Sequence, residues 1–310
     1  MINTIFVTVS DDRSGRKNGK YKETQNKIDS IFSSNLQFGI SKHEKWTYED
    51  IITTSFYEKN KILLDNIRPS INGRVYKPFV ISESLKNLND GDFLIYNDCS
   101  PELWDYNYDF SKYNLNIIKE LCVQNNGILT AHVKWNHRTH TEKGNVGYHT
   151  HEHFTTERCM NKMNMQQYKY SLQHASGMIV LQKSSKATQF VEEWLYWNCI
   201  DECCSLGFAH IPNDFSFWEA EQYKIGHRHD QSISGLLINQ MNNKIIEHLD
   251  YYERPDNTSP YNFINFCRPD FNYNFFDSNQ PKSNILYTRT DSEFNAHHQW
   301  ADSSIIKINR

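Results

Sequence analysis

Two acidic residues sit where a chain can put them to chemical use. Asp98 ends the run Gly91-Asp92-Phe93-Leu94-Ile95-Tyr96-Asn97-Asp98, in which a glycine turn and a short apolar strand deliver one carboxylate to the strand's carboxyl end. Asp230 and Gln231 follow the polar run His227-Arg228-His229 and open a stretch with Ile233, Leu236, Leu237 and Met241 at helical spacing. Hard divalent cations take carboxylate oxygens, so Asp98 is a candidate metal ligand. Backbone N–H groups and the positive end of the helix dipole favour the ionised form of an Asp at a helix N-terminus. There it can cap the helix, bind a hydroxyl or act as a base. Arg74 and Lys77, at the start of another helix, can reach phosphate oxygens as a bidentate fork and a point charge.

Histidines form a second group. His149, His151 and His153 make an H-x-H-x-H run inside a polar segment, residues 134–153, that is too long for an ordinary connection. In an extended chain all three face one side, which suits zinc. With Tyr148 and Trp135 nearby, the same segment also suits hydrogen bonding and stacking on sugar rings, and a solvated loop is the third reading. His174 precedes a strand at Met178 and is either a buried, hydrogen-bonded histidine or a contact for a bound sugar.

The elements that must position these groups alternate. Ile5, Phe6, Val7 and Val9 make a nearly continuous apolar run, as in a strand buried on both faces. Residues 22–33, with Ile28, Ile31 and Phe32, predict a helix, and Leu36, Phe38 and Ile40 a second strand. Residues 51–64 predict a helix; another starts at Lys77-Pro78, buries Ile81, Leu85 and Leu88, and stops at Asn89-Asp90-Gly91. Residues 114–125 form a further helix, ended by Asn126-Gly127 before a strand at 128–133. Met178 to Leu181 is a strand and residues 184–199 a helix with Phe190, Val191, Trp194 and Leu195 inward. Residues 201–226 are irregular, and Asp230 is the N-cap of the last clear helix. The reading is one α/β domain over residues 1–256, with a mostly parallel central sheet flanked by helices, and an irregular tail over 257–310 wrapping it.

Bulk properties narrow the classes. With 310 residues, a net charge of -4 and a pI near 6.4, the chain has no general basic field, which argues against a nucleic-acid partner. Its 7 cysteines are odd in number and scattered, which favours reduced thiols and a cytoplasmic compartment. The first residues lack a signal-peptide pattern and no apolar run is long enough to span a bilayer. The 18 Tyr, 18 Phe and 7 Trp either pack a core or offer walls for sugar stacking.

The segment Tyr76-Lys77-Pro78-Phe79-Val80-Ile81, then Leu85, then Gly91-Asp92 through Asp98, resembles the W-K-P, L, G-D, Y-x-D pattern of GT-A-fold glycosyltransferases, especially bacterial capsule-type enzymes. His227-Arg228-His229-Asp230-Gln231-Ser232 is similar to their H-R-H-D-Q-S run and, more distantly, to the D-Q element of glycogenin-like and lipopolysaccharide galactosyltransferases. Thr156-Glu157-Arg158 and Gln173-His174-Ala175 match more loosely, so the islands span roughly residues 74–240. The resemblance implies a Rossmann-like GT-A fold and transfer of a sugar from a nucleoside-diphosphate donor to a glycan or protein hydroxyl, assisted by Mn²⁺ or Mg²⁺. It implies donor contacts at Thr8, Ser10, Arg13, Arg74, Lys77, Asp98 and Ser100, with Asp230 and Gln231 at the reacting centre, Gln231 under the anomeric carbon. Acceptor or sugar contacts fall to His149, His151, His174 and His229. The family's second carboxylate is replaced, since Cys99-Ser100 follows Asp98, so a metal on Asp98 would lean on His229, water or the diphosphate. Two rivals are a zinc hydrolase built on His149, His151 and His153, and a carbohydrate-binding protein without turnover.

Overall fold

The computed structural model describes residues 2–11, 20–34, 39–66, 75–99, 115–130, 134–135, 147–148, 150–171, 173–204, 227 and 229–241. Five strands make an open mixed sheet: β1 (Thr4–Ser10), β2 (Lys42–Thr47), β3 (Phe93–Asn97), β4 (Ile128–Leu129) and β7 (Met178–Gln182), in the order β2-β1-β3-β7-β4. Strand β1 runs parallel to β2 and β3, and β7 runs antiparallel to β3 and β4. One reversed strand therefore lies within an otherwise parallel set. A separate pair, β5 (Lys134–Trp135) and β6 (Gly147–Tyr148), is antiparallel. The boundary expected at 256 between the domain and its irregular tail lies outside the described residues.

Register explains the continuous apolar runs. Ile5, Leu94, Leu181 and Ile128 pair across the sheet in one row, and Phe6, Ile95, Val180 and Leu129 in the next. Successive side chains point to opposite faces, so both rows can be buried only if helices cover both faces. They do. The first row joins the core formed with α4 (Tyr76–Lys86), α8 (Ser185–Asn198) and α10 (Asp230–Gln240). On the other face Phe6 meets Phe32 of α1 (Lys20–Ser34) at 4.7 Å between ring centroids, and Cys122 of α5 (Leu115–Gln124) donates its thiol to the Val180 carbonyl. Apolar burial of this kind is the main stabilising term of a sheet domain.

Several elements depart from the sequence expectation. Among the described residues the second strand is Lys42–Thr47, a polar strand at the edge of the sheet; the alternation expected at Leu36, Phe38 and Ile40 falls largely outside the described residues. The expected helix over 51–64 is two helices, α2 (Tyr48–Ile51) and α3 (Ser55–Asn66). The break is made by hydroxyls: Thr53 and Thr54 donate to the Asp50 and Ile51 carbonyls, competing with helix continuation. Thr47 and Asp50 close the start of α2 as a capping box. Strand β4 is described over Ile128–Leu129, the Thr130 hydroxyl contacts His174 at 2.9 Å, and residues 131–133 of the expected strand lie outside the described residues. Within the segment read as irregular, Asp201–Cys204 is a helical turn, α9. Among the described residues no helix is long and apolar enough to cross a membrane.

Leu94, fully buried at the sheet centre, is expected to cost about 2–5 kcal/mol when cut to alanine. Ile62→Ala, at a site 79% exposed, should shift urea stability by less than about 0.5 kcal/mol.

Candidate functional site

At the carboxyl ends of β1 and β3 the chain brings an ammonium between two carboxylates. Lys77 lies in the first turn of α4 and is 5% exposed, so its charge needs partners. Its Nζ stands 3.1 Å from Asp98 Oδ1 and 2.9 Å from Asp230 Oδ2, and donates to the Ser176 carbonyl at 3.3 Å. Around this junction the remaining contacts interlock. Tyr96 donates its hydroxyl to Asp98 Oδ1 at 3.0 Å, and the Lys77 ammonium lies 5.5 Å from the centre of the Tyr96 ring. Burial and the neighbouring Asp98 carboxylate hold the Tyr96 phenol well above its ordinary pKa, so it stays a donor. Ser176 donates to Asp230 Oδ2 at 2.7 Å, and Trp194 donates its indole N–H to the Asp230 carbonyl at 3.0 Å. The reversed direction of β7 brings Ser176 here, because its amino end lies beside the carboxyl end of β3; the Asp98 N–H donates to the Gly177 carbonyl at 2.9 Å. Next to Lys77, Tyr76 donates to Asp11 Oδ2 at 3.3 Å.

Asp230 is not the N-cap. It is the first residue of α10, preceded by His229 at φ 47°, ψ -116°, which has no side-chain cap bond. The Asp230 carboxylate is taken by Lys77 and Ser176 instead, and tertiary pairing of a buried charge outweighs the roughly 1 kcal/mol of a cap. The left-handed backbone at His229 is uncommon for a residue with a side chain and is held by neighbours. His229 Nδ1 donates to the Cys204 carbonyl at 2.9 Å; His227 Nε2 donates to the Cys203 carbonyl at 2.7 Å and its Nδ1 accepts the Thr156 N–H at 3.2 Å. Both imidazoles thus tie the approach to α10 onto α9 and onto the start of α7 (Glu157–Met163).

The expected base contacts at Thr8 and Ser10 face elsewhere. They share the face of β1 that meets α1, and both are buried. Gln25 donates to Thr8 Oγ1 at 3.0 Å and accepts from Ser10 at 3.3 Å, while Thr8 Oγ1 contacts His43 Nε2 at 2.9 Å. His43 Nδ1 faces Asp29 at 3.2 Å; burial nevertheless pushes its pKa down to about 4, against the pull of that carboxylate.

From His151 onward the histidine run is not extended. His151 opens a helical turn, α6 (His151–Phe154), and is fully buried. Its Nδ1 contacts Thr155 Oγ1 at 2.7 Å and its Nε2 faces the Asn239 amide at 3.2 Å, so neither nitrogen is left for zinc or a sugar in this arrangement. Burial pushes its pKa down to about 3. Gly235 of α10 lies so close that a Cβ there would sit 2.8 Å from His151 Cε1. His174 is buried against Thr130. Arg13, Arg74, Ser100 and His149 lie outside the described residues. Asp98 and His229 do not assemble as a metal donor set: Asp98 is held by Lys77 and Tyr96, and His229 turns to α9. Among the described residues no three His, Cys, Asp or Glu side chains group closely enough to hold a metal ion.

Ser176, Tyr96 and Trp194 had no signal as site residues, since each reads as a turn or core residue. Two amides stand out: both polar atoms of buried Gln173, and the buried Nε2 of half-buried Gln231, next to Asp230, have no hydrogen-bond partner among the described residues. Buried polar atoms left unpaired cost about 1–3 kcal/mol, which a ligand's polar groups can recover. No family model, curated protein or solved structure matches this chain.

Asp230→Ala strips Lys77 of its more buried partner and should cost about 3–5 kcal/mol in urea unfolding, whereas Asp98→Ala, at a side chain 35% exposed, should cost about 1 kcal/mol or less. His151 and His43 are neutral in the fold, so as pH falls below their ordinary value of 6.5 the unfolded chain takes up their protons first. Stability is therefore full above that pH and declines toward about pH 4, by up to ~1.4 kcal/mol per pH unit per histidine. Urea titrations across this range should show the decline, and His151→Gln should lessen its slope.

Proposed function

We propose that this chain is a glycosyltransferase, with a GT-A-like form of the α/β fold, moving a sugar from a nucleoside-diphosphate donor to a glycan or protein hydroxyl. One observation supports it above the others: Asp98 and Asp230, from the two separate islands that resemble transferase motifs, meet on one ammonium. They do so at the carboxyl edge of the sheet, where open α/β folds bind ligands. In the reaction the bond from the anomeric carbon to the diphosphate oxygen breaks, its electron pair stays on the diphosphate, and the acceptor oxygen bonds the carbon. Lys77 is already balanced by Asp98 and Asp230, so its role would be to hold the two carboxylates in place, and other donors at this edge would favour the leaving diphosphate. Asp98, a third exposed, is the carboxylate open to hydroxyls of ribose, sugar or acceptor, and the acceptor's proton would pass to an oxygen there. The Gln231 amide would hold the sugar beside it.

One feature favours the non-catalytic carbohydrate-binding reading: the Asp230 carboxyl is buried and already paired, which suits a structural anchor better than a base. Release of free sugar from a nucleotide sugar, or transfer to an added glycan, separates the two.

A thermal-shift panel of UDP, GDP, CDP and their sugars should raise Tm for one base, a ligand at a hundred times its Kd adding about 2.7 kcal/mol. Gln231→Ala should keep that shift while transfer drops roughly 10²-fold or more. A panel in which no nucleotide moves Tm would overturn the proposal.

A further inference from the structure

We infer that Lys77 is the resident cation of this site, standing where a divalent metal would otherwise join Asp98 to Asp230, so that these carboxylates bind no divalent metal, with or without the donor. The inference deepens the transferase reading where it concerns the donor; its metal half rests on geometry alone. An ammonium has three hydrogens, and those of Lys77 have four acceptor atoms in reach: Asp98 Oδ1, Asp230 Oδ2, and the carbonyl and hydroxyl oxygens of Ser176. The same oxygen of Asp98 also accepts from Tyr96, and the same oxygen of Asp230 from Ser176. A metal bound there would need those oxygens at 2.0–2.6 Å, roughly, and would have to displace donors already seated.

Position 99 gives no second carboxylate. Cys99 follows Asp98, is buried, and donates its thiol to the Val9 carbonyl of β1. The imidazole that might complete a set, His229, is committed to the Cys204 carbonyl. The cation's place is also fixed from both ends. Lys77 belongs to α4, which packs on β1, β3 and α8, and Asp230 to α10, which packs on α8. Asp98 retains a third of its side-chain surface, while the Lys77 charge is spent on holding the two carboxylates. Removing the ammonium alone would leave two facing carboxylates from separate elements, the donor type that divalent cations select.

The test uses Mn²⁺ alone, read by electron paramagnetic resonance, on the full chain. Wild type and Lys77→Arg should show no Mn²⁺ site that depends on Asp98. Lys77→Met should gain one, and the double variant Lys77→Met/Asp98→Asn should lose it. Stoichiometric Mn²⁺ on wild type, abolished by Asp98→Asn, would overturn the inference, as would a folded Lys77→Met that binds none. If circular dichroism shows Lys77→Met unfolded, the wild-type measurement decides. A second arm repeats the nucleoside-diphosphate thermal shifts in EDTA and in Mn²⁺. Equal shifts support the inference, and a shift that requires Mn²⁺ sinks it while sparing the transferase reading. No shift in either condition counts against the transferase reading and leaves Mn²⁺ binding to judge the cation.

Discussion

One ammonium holds the candidate site together. Lys77 is nearly inaccessible, and a charge in that position survives only because Asp98 and Asp230 reach it from different elements and Ser176 accepts from it. That requirement fixes the first turn of α4, the end of β3, the entry to β7 and the start of α10 relative to one another. Three segments far apart in sequence must close on a single nitrogen, so the geometry of the sheet edge and the solvation of a buried charge are one problem.

Histidines serve this arrangement without joining it. His227 and His229 spend ring nitrogens on the last carbonyls of α9, and His229 accepts a left-handed backbone to turn the chain into α10. Cations and donors near a helix C-terminus are favourable there because its carbonyls lack intrahelical partners. On the opposite face, Gln25, Thr8, His43 and Asp29 form a hydrogen-bonded line that anchors α1 to β1 and β2. Polar residues that look reactive in sequence are in both places fasteners for helices.

Much of the scaffold was legible. The continuous apolar runs at Ile5–Val9, Phe93–Tyr96 and Met178–Leu181 have the length and pattern of strands covered on both faces, and Asn126-Gly127 ends α5 with the positive φ values such a turn requires. The meeting of Asp98 with Asp230 was also readable, from the order of the motifs. What sequence could not show was pairing. Strand direction at β7 depends on a connection whose path apolar pattern does not encode, and β2 is a polar edge strand that apolar periodicity does not flag. Side-chain commitments were equally hidden: nothing in H-x-H-x-H distinguishes an open ligand set from a helical turn in which His151 is enclosed. Lys77 read as a phosphate contact because its spacing reveals charge and not the two carboxylates that claim it.

Helix α10 can lie against α6 because residue 235 has no side chain, leaving the His151 ring almost touching its backbone. That clearance is narrower than a methyl group, and close-packed interiors transmit small intrusions instead of absorbing them. Any bulk added at 235 would act as a wedge, pushing the helix outward and withdrawing the Asp230 carboxylate that its first residue carries. The charge arrangement at the sheet edge therefore has a remote mechanical weak point, where a single uncharged carbon could disable it.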